Sequence, residues 1–244
     1  MTMTHQDSKV ALITGASSGF GWGTALAMAQ AGYRIVVTAR REARLQQLVT
    51  ECQKLGTSAA YYVGDARKTA TAQGAVAFTL EQFGRLDILV NNAGIGRVQK
   101  LVDTPMTDFD LVMDTNVRSA FAFTKFAVPQ MIKQHSGQLI LVSSVTGIKG
   151  HAEEAAYTCS KFALRGLGQA LDHELLPQGI RTCVFCPHAG ATEFEVGHGR
   201  TSAEVAQSGF LTPEDVGAAL VSVCEQPEHS RIVELRLASN NVPY

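Results

Sequence analysis

Seven short apolar runs alternate along this chain with windows of helix-forming residues, and that alternation restricts the fold more than any other feature of the sequence. Val10–Ile13, Ile35–Thr38, Ser58–Val63, Leu86–Val90, Gln138–Val142, Ile180–Cys186 and Ile232–Leu237 read as strands. Between them, Trp22–Gln30, Glu42–Leu55, about Thr69–Phe83, Asp108–Gln134, Ala155–Leu176 and Pro213–Cys224 read as helices. Such an order predicts an α/β fold: a doubly wound parallel sheet of about seven strands with right-handed crossovers and helices on both faces. With 244 residues, 45% of them hydrophobic, the chain is long enough for one sizeable core. We expect a single domain over 1–244, with residues 1–8 a flexible N-terminus and the stretch His188–Leu211 irregular.

The first strand runs into TGASSGFG, Thr14 to Gly21, and then into a helix. Glycines at 15, 19 and 21 permit a tight turn and close backbone approach, leaving helix amides free for a pyrophosphate. The spacing Gly-xxx-Gly-x-Gly differs from the commoner Gly-x-Gly-x-x-Gly dinucleotide fingerprint. At the end of the second strand, where an acidic residue would take the ribose 2′-hydroxyl of NAD, stands Ala39, followed by Arg40 and Arg41. These arginines suit a 2′-phosphate and favour NADP(H) over NAD(H); they also fit as solvated charges at the start of the next helix. NNAG, Asn91 to Gly94, closes the fourth strand as a turn whose side chains bond nearby backbone, facing a cofactor or not. Asn116 is a poor residue for the interior of the long helix Asp108–Gln134.

Tyr157 and Lys161 are four residues apart in a helical window and therefore share one face. A neighbouring cation favours phenolate and lowers the pKa of a phenol, which equips it to exchange a proton with an alcohol oxygen. Ser144 follows the strand Gln138–Val142, so its hydroxyl falls at a carboxyl end of the sheet, where α/β folds bind ligands.

Other classes are disfavoured. Lys and Arg number 21 against 22 Asp and Glu, a formal charge of −1, which gives no field to recruit nucleic acid or an anionic membrane. The polar start MTMTHQDSK is no signal peptide, and no apolar run approaches a membrane span, so a cytoplasmic protein is expected. Of five cysteines, Cys183 and Cys186 form a CxxC, but inside a strand they face opposite sides and read as inert core thiols. His188, Glu193, Glu195 and His198 fit no metal-ligand spacing, and no metal is expected.

TGASSGFG, NNAG, Asn116, and Ser144 followed thirteen residues later by YxxxK together resemble the short-chain dehydrogenase/reductase family over roughly Val10 to Leu237. The resemblance implies hydride transfer between a nicotinamide cofactor and a small-molecule carbonyl or alcohol. By position, Tyr157 would donate the proton in reduction, Ser144 would hold the substrate oxygen, and Lys161 would bind the nicotinamide ribose and lower the Tyr157 pKa. Asn116 would hold a water in a proton relay. Cofactor contacts would come from Gly15, Ser17, Ser18, Gly19, Phe20, Gly21, Arg40, Arg41, Asp65 (facing the adenine), Ala66, Asn92, Ala93, Gly94, Tyr157, Lys161, Pro187 and Thr192. His188–Leu211 would be the substrate loop, and relatives imply a homo-oligomer, tetramer or dimer, built in part on the helices carrying Phe121, Phe126, Phe162 and Leu167.

The chain departs from the family after the sixth strand, where His188 replaces the usual glycine beyond Pro187 and is expected to shape the pocket without catalysing. Glu153 and Glu154, before Tyr157, read as carboxylates that cap the positive end of the helix, with repulsion of acidic substrates as the alternative. The activity expected is an NADPH-dependent carbonyl reductase. A 3-oxoacyl carrier-protein reductase, with Lys125, Lys133 and Arg165 as its basic surface, and a cofactor-sensing binding protein are the alternatives.

Overall fold

The computed structural model describes residues 8–198, 201–207 and 209–241. Its strands are β1 (Val10–Thr14), β2 (Arg34–Ala39), β3 (Ala59–Val63), β4 (Ile88–Asn91), β5 (Gly137–Val142), β6 (Ile180–Pro187) and β7 (Glu234–Leu237). Its helices are α1 (Gly19–Gln30), α2 (Glu42–Lys54), α3 (Thr69–Phe83), α4 (Met106–Met113), α5 (Ser119–Gln134), α6 (Ala155–Leu175), α7 (Ser202–Gln207) and α8 (Pro213–Cys224). All pairings are parallel in the order β3-β2-β1-β4-β5-β6-β7, so the connection reverses direction between β1 and β4. The expected seven-stranded doubly wound sheet is therefore observed.

Alternation along each strand divides the core in two. On one face Ile13, Ile35 and Phe185 pack with Met28 of α1, Leu45 and Leu48 of α2 and Leu220 of α8. On the other, Leu12, Val36 and Leu139 pack with Ala75 of α3 and with Phe123 and Met131 of α5. Full burial of a side chain such as Phe123 or Phe185 stabilises by roughly 1.5–3 kcal/mol. Helices α1 and α8 approach so closely that a Cβ on Gly23 would stand 2.2 Å from the Pro213 carbonyl oxygen.

Four expectations need correction. The helix expected over 108–134 is two helices joined by a π-helical turn, Asp114–Arg118, with Asn116 fully buried inside it. The Asn side chain takes hydrogen bonds outside its own helix, and the wider turn accommodates that. The segment expected to be irregular, 188–211, contains α7. α1 begins at Gly19, three residues before the expected start, so Gly19 and Gly21 belong to its first turn. Of the expected flexible start, residues 1–7 lie outside the described residues. Ser8 is anchored, its carbonyl accepting from Arg34 Nε at 3.0 Å and Nη2 at 2.8 Å.

Candidate active site

The point where the strand order reverses is held by side chains rather than by strand pairing alone. Thr14 Oγ1 accepts from the backbone amides of Asn92 and Ala93, both at 3.0 Å, while Asn92 Nδ2 donates to the Thr14 carbonyl at 2.9 Å. The side chain of Asn92 thus bonds not to nearby backbone, as its turn position suggests, but across the sheet, fastening the end of β4 to that of β1. Beyond these ends lies a cleft of about 670 Å³, at the crevice where open α/β sheets take their ligands.

The glycine turn forms one wall. Gly15 has φ +67°, and a Cβ there would meet the Ala93 Cα at 2.7 Å, so both conformation and space demand glycine. Behind it, a Cβ on Gly21 would fall 2.5 Å from Asn92 Nδ2. Ser18 stands at the N-cap of α1 but makes no side-chain cap. Its hydroxyl accepts from Arg41 Nη2 at 2.7 Å, and Ser17 Oγ accepts from Arg41 Nε at 3.1 Å. The third side of the guanidinium meets Glu193 Oε2, 2.9 Å from Nη1. Asp65 lines the same end of the cleft, and the Arg67 guanidinium bonded to it holds its carboxyl below the usual range. A phosphate-bearing nucleotide fits this donor set and the glycine cradle.

At the other end, α6 buries a stripe made of Ala156, Tyr157, Ser160, Lys161, Leu164 and Gly168. A Cβ on Gly168 would lie 2.2 Å from Val184 Cγ2, which shows how tightly the helix lies on β6. That packing turns Tyr157 and Lys161 inward. Lys161 Nζ donates to the Val142 carbonyl at 2.9 Å and stands 5.4 Å from the centre of the Tyr157 ring. Burial lowers its pKa from 10.5 to about 8, against the opposing pull of Cys186 and Glu195. Ser143 Oγ donates to the Lys161 carbonyl at 2.8 Å, and Ser144 Oγ accepts from the Thr146 amide at 3.1 Å. Asn116 Oδ1 accepts from the Ile95 amide at 2.8 Å; its Nδ2 donates to the Ile95 carbonyl and to Ser160 Oγ, both at 2.9 Å. A buried cation beside a phenol, with a hydroxyl in the same cleft, is an arrangement able to exchange a proton with a carbonyl or alcohol oxygen.

Of the residues singled out from sequence, Gly15, Ser17, Ser18, Gly19, Phe20, Arg40, Arg41, Asp65, Ala66, Asn92, Ala93, Gly94, Ser144, Tyr157, Lys161, Pro187, His188 and Thr192 all line this cleft. Gly21 and Asn116 stand behind its wall. Glu154, expected as a helix cap, makes no side-chain cap and instead accepts from Thr146 Oγ1 at 3.3 Å. Glu153 has an exposed side chain and φ +64°. Arg97, Phe194 and Glu195 also line the cleft, although nothing in the sequence marks them as binding residues. Phe194 packs its ring 5.8 Å from that of Tyr157, and Glu195 is 8% exposed. Phe194 and Glu195 carry no spacing signal because their positions follow from the path of the 188–198 backbone. Cys183 and Cys186 are buried and free, and no cluster able to hold a metal ion occurs among the described residues.

The family model for short chain dehydrogenases matches residues 9–202, and the chain belongs to that family. An uncharacterized oxidoreductase of Thermotoga maritima is 40% identical over 187 residues, 77% of this chain and 73% of that protein. Among solved structures, an alcohol dehydrogenase from the archaeon Thermococcus sibiricus, complexed with 5-hydroxy-NADP, superposes with TM-score 0.89 at 27% identity, covering 98% of this chain and 99% of that one. A xylitol dehydrogenase bound to NAD+ gives TM-score 0.86 at 27% identity, covering 95% and 98%. The protein is thus an oxidoreductase of this family. No helix among the described residues is long and apolar enough to cross a membrane.

Proposed function

We propose that the chain is a single-domain, NADPH-dependent reductase that converts a small-molecule ketone or aldehyde carbonyl to an alcohol. The observation that carries this reading is the buried Lys161, held by the Val142 carbonyl beside Tyr157 in the cleft that Ser144 also lines. The nicotinamide, when bound, supplies the hydride. Tyr157 gives the proton to the carbonyl oxygen while the Ser144 hydroxyl holds that oxygen by a hydrogen bond. Lys161 stabilises the phenolate that remains and, as a donor, orients the cofactor ribose. Asn116 braces α6 through Ser160 and keeps Ile95 and Gly94 against the site; a Cβ on Gly94 would lie 3.3 Å from Asn116 Oδ1 and 3.6 Å from Lys161 Nζ.

Arg41 is the feature that favours NADPH, since its guanidinium, which donates to the Ser17 and Ser18 hydroxyls, lines the cleft just past the end of the second strand. Arg40 lines the cleft next to them and adds to the positive potential there. His188 donates its backbone amide to the Leu237 carbonyl at 2.8 Å, which suits a wall residue that shapes the pocket. The carrier-protein alternative loses one of its three basic residues, because Arg165 is engaged by Glu234 at 2.7 Å. Phe121 and Phe162, 56% and 43% exposed on α5 and α6, support a homo-oligomer. A cytoplasmic protein without nucleic-acid or membrane partners accords with the balanced charge.

The test is cofactor oxidation by the purified protein with NADPH and with NADH against ketones, aldehydes and oxoacyl thioesters. Faster turnover per unit concentration with NADPH, on ketones or aldehydes, is the expected result. Preference for NADH would contradict the cofactor assignment, and exclusive use of thioesters would replace the substrate class.

A further inference from the structure

The donors that suit a 2′-phosphate already hold an anion belonging to the protein. Glu193 Oε2 lies 2.9 Å from Arg41 Nη1, on the same guanidinium that bonds Ser17 and Ser18. The carboxyl of Glu193 is held below its usual range by Arg41, with further contributions from Arg44 and from a hydrogen bond with Ser18. Glu193 sits in the segment that also covers the opposite part of the cleft. The preceding residue, Thr192, closes on Gly19, where an added Cβ would meet its side chain at 3.2 Å, and the following residue, Phe194, packs on Tyr157.

We infer that Glu193 is an internal competitor of the cofactor's 2′-phosphate for Arg41 and Ser18, and that it sets how strongly the protein prefers the phosphorylated cofactor. This rests on the reading that Arg41 binds the 2′-phosphate. A nucleotide bearing that phosphate must displace the carboxylate or accept its repulsion, because two anions cannot share one guanidinium edge and one hydroxyl without cost. A nucleotide with a free 2′-hydroxyl meets no such competition. Glu193 therefore weakens NADPH selectively and leaves NADH nearly unaffected. Both side chains of the pair are substantially solvent-exposed, at 48% and 60%, which makes the competition modest.

The experiment is equilibrium titration of the full chain with NADPH, NADH, 2′,5′-ADP and ADP, for the parent protein, Glu193→Gln, Arg41→Gln and the double variant. Glu193→Gln is expected to tighten NADPH and 2′,5′-ADP by about 2- to 5-fold and to leave NADH and ADP nearly unchanged. In the Arg41→Gln background the same change is expected to give no gain. Unchanged or weaker NADPH binding by Glu193→Gln, with Arg41→Gln still selectively weakening NADPH, overturns this inference alone. An Arg41→Gln variant that binds NADPH as the parent does overturns the 2′-phosphate reading and the inference together.

Discussion

Asn116 reaches out of its π-helical turn to donate to Ser160 Oγ at 2.9 Å, joining the α4–α5 junction to α6 one residue before Lys161. The same carboxamide holds both the amide and the carbonyl of Ile95. One buried polar side chain thereby ties three segments that have no strand pairing with one another. The bulge in the helix is the backbone adjustment that allows it.

Removing that carboxamide leaves buried partners without bonds. Asn116→Ala is expected to lower the unfolding free energy by roughly 1–3 kcal/mol, the cost of leaving the Ile95 amide and carbonyl without their partner, while the Ser160 hydroxyl keeps its bond to the Tyr157 carbonyl. Urea unfolding monitored by circular dichroism checks this; a loss under about 0.5 kcal/mol would mean that water replaces the side chain.

Lys161 makes stability depend on pH in a defined window. Its folded pKa, about 8, is below the ordinary 10.5, so between these values the unfolded chain binds a proton that the folded chain lacks. Stability rises with pH wherever the unfolded state binds more protons. The parent is therefore expected to gain on Lys161→Met as pH rises from 8 to 10, by at least about 1.4 kcal/mol, the free energy of a tenfold difference in proton affinity. Below pH 8 the difference should be flat. Paired unfolding curves at pH 7, 8, 9 and 10 without cofactor decide it, and a difference that shrinks with rising pH would contradict the assignment.

The glycine of each of two helices should respond in opposite ways. Gly23→Ala forces a methyl into the Pro213 carbonyl and is expected to destabilise by about 1–3 kcal/mol. Gly166, inside α6, has nothing within 4 Å of the point where a methyl would stand, and Gly166→Ala is expected to stabilise by about 0.5–1 kcal/mol through helix propensity. Thermal unfolding of both variants checks the pair.

Thiol titration reports directly on the core. Cys52, Cys183, Cys186 and Cys224 are buried, and burial pushes Cys52, Cys183 and Cys224 up to about 12, so their thiolates are scarce. Ellman's reagent is expected to modify no more than one thiol per native chain, Cys159, and all five after denaturation. Rapid native reaction of a second thiol would show that the core around that cysteine opens.

Much of the fold and site is legible in the sequence because periodic burial and local turn chemistry leave local marks. The strand and helix order, the tight turn at Gly15 and the shared face of Tyr157 and Lys161 all follow from short-range spacing. The π turn is visible there only as an ill-placed Asn116, since its cause is a partner 44 residues away. Asn92 is legible as a turn former, but its bond to Thr14 spans 78 residues and no local pattern encodes it. Glu193 and Phe194 reach Arg41 and Tyr157 through the path of a loop, which depends on tertiary contacts rather than on the composition of 188–211. Glu154 misleads because position at a helix start suggests capping, whereas Thr146 offers a competing donor.

In the proposed mechanism Tyr157 passes the proton, and its hydroxyl is only one of many contacts that the cleft offers the cofactor. The most direct test is Tyr157→Phe, measured for NADPH dissociation constant and for turnover on the best carbonyl substrate. NADPH binding is expected within about threefold of the parent, with turnover lower by about 10²- to 10⁴-fold, the range for loss of a general acid. Turnover within about tenfold of the parent, with binding intact, would contradict the role given to Tyr157.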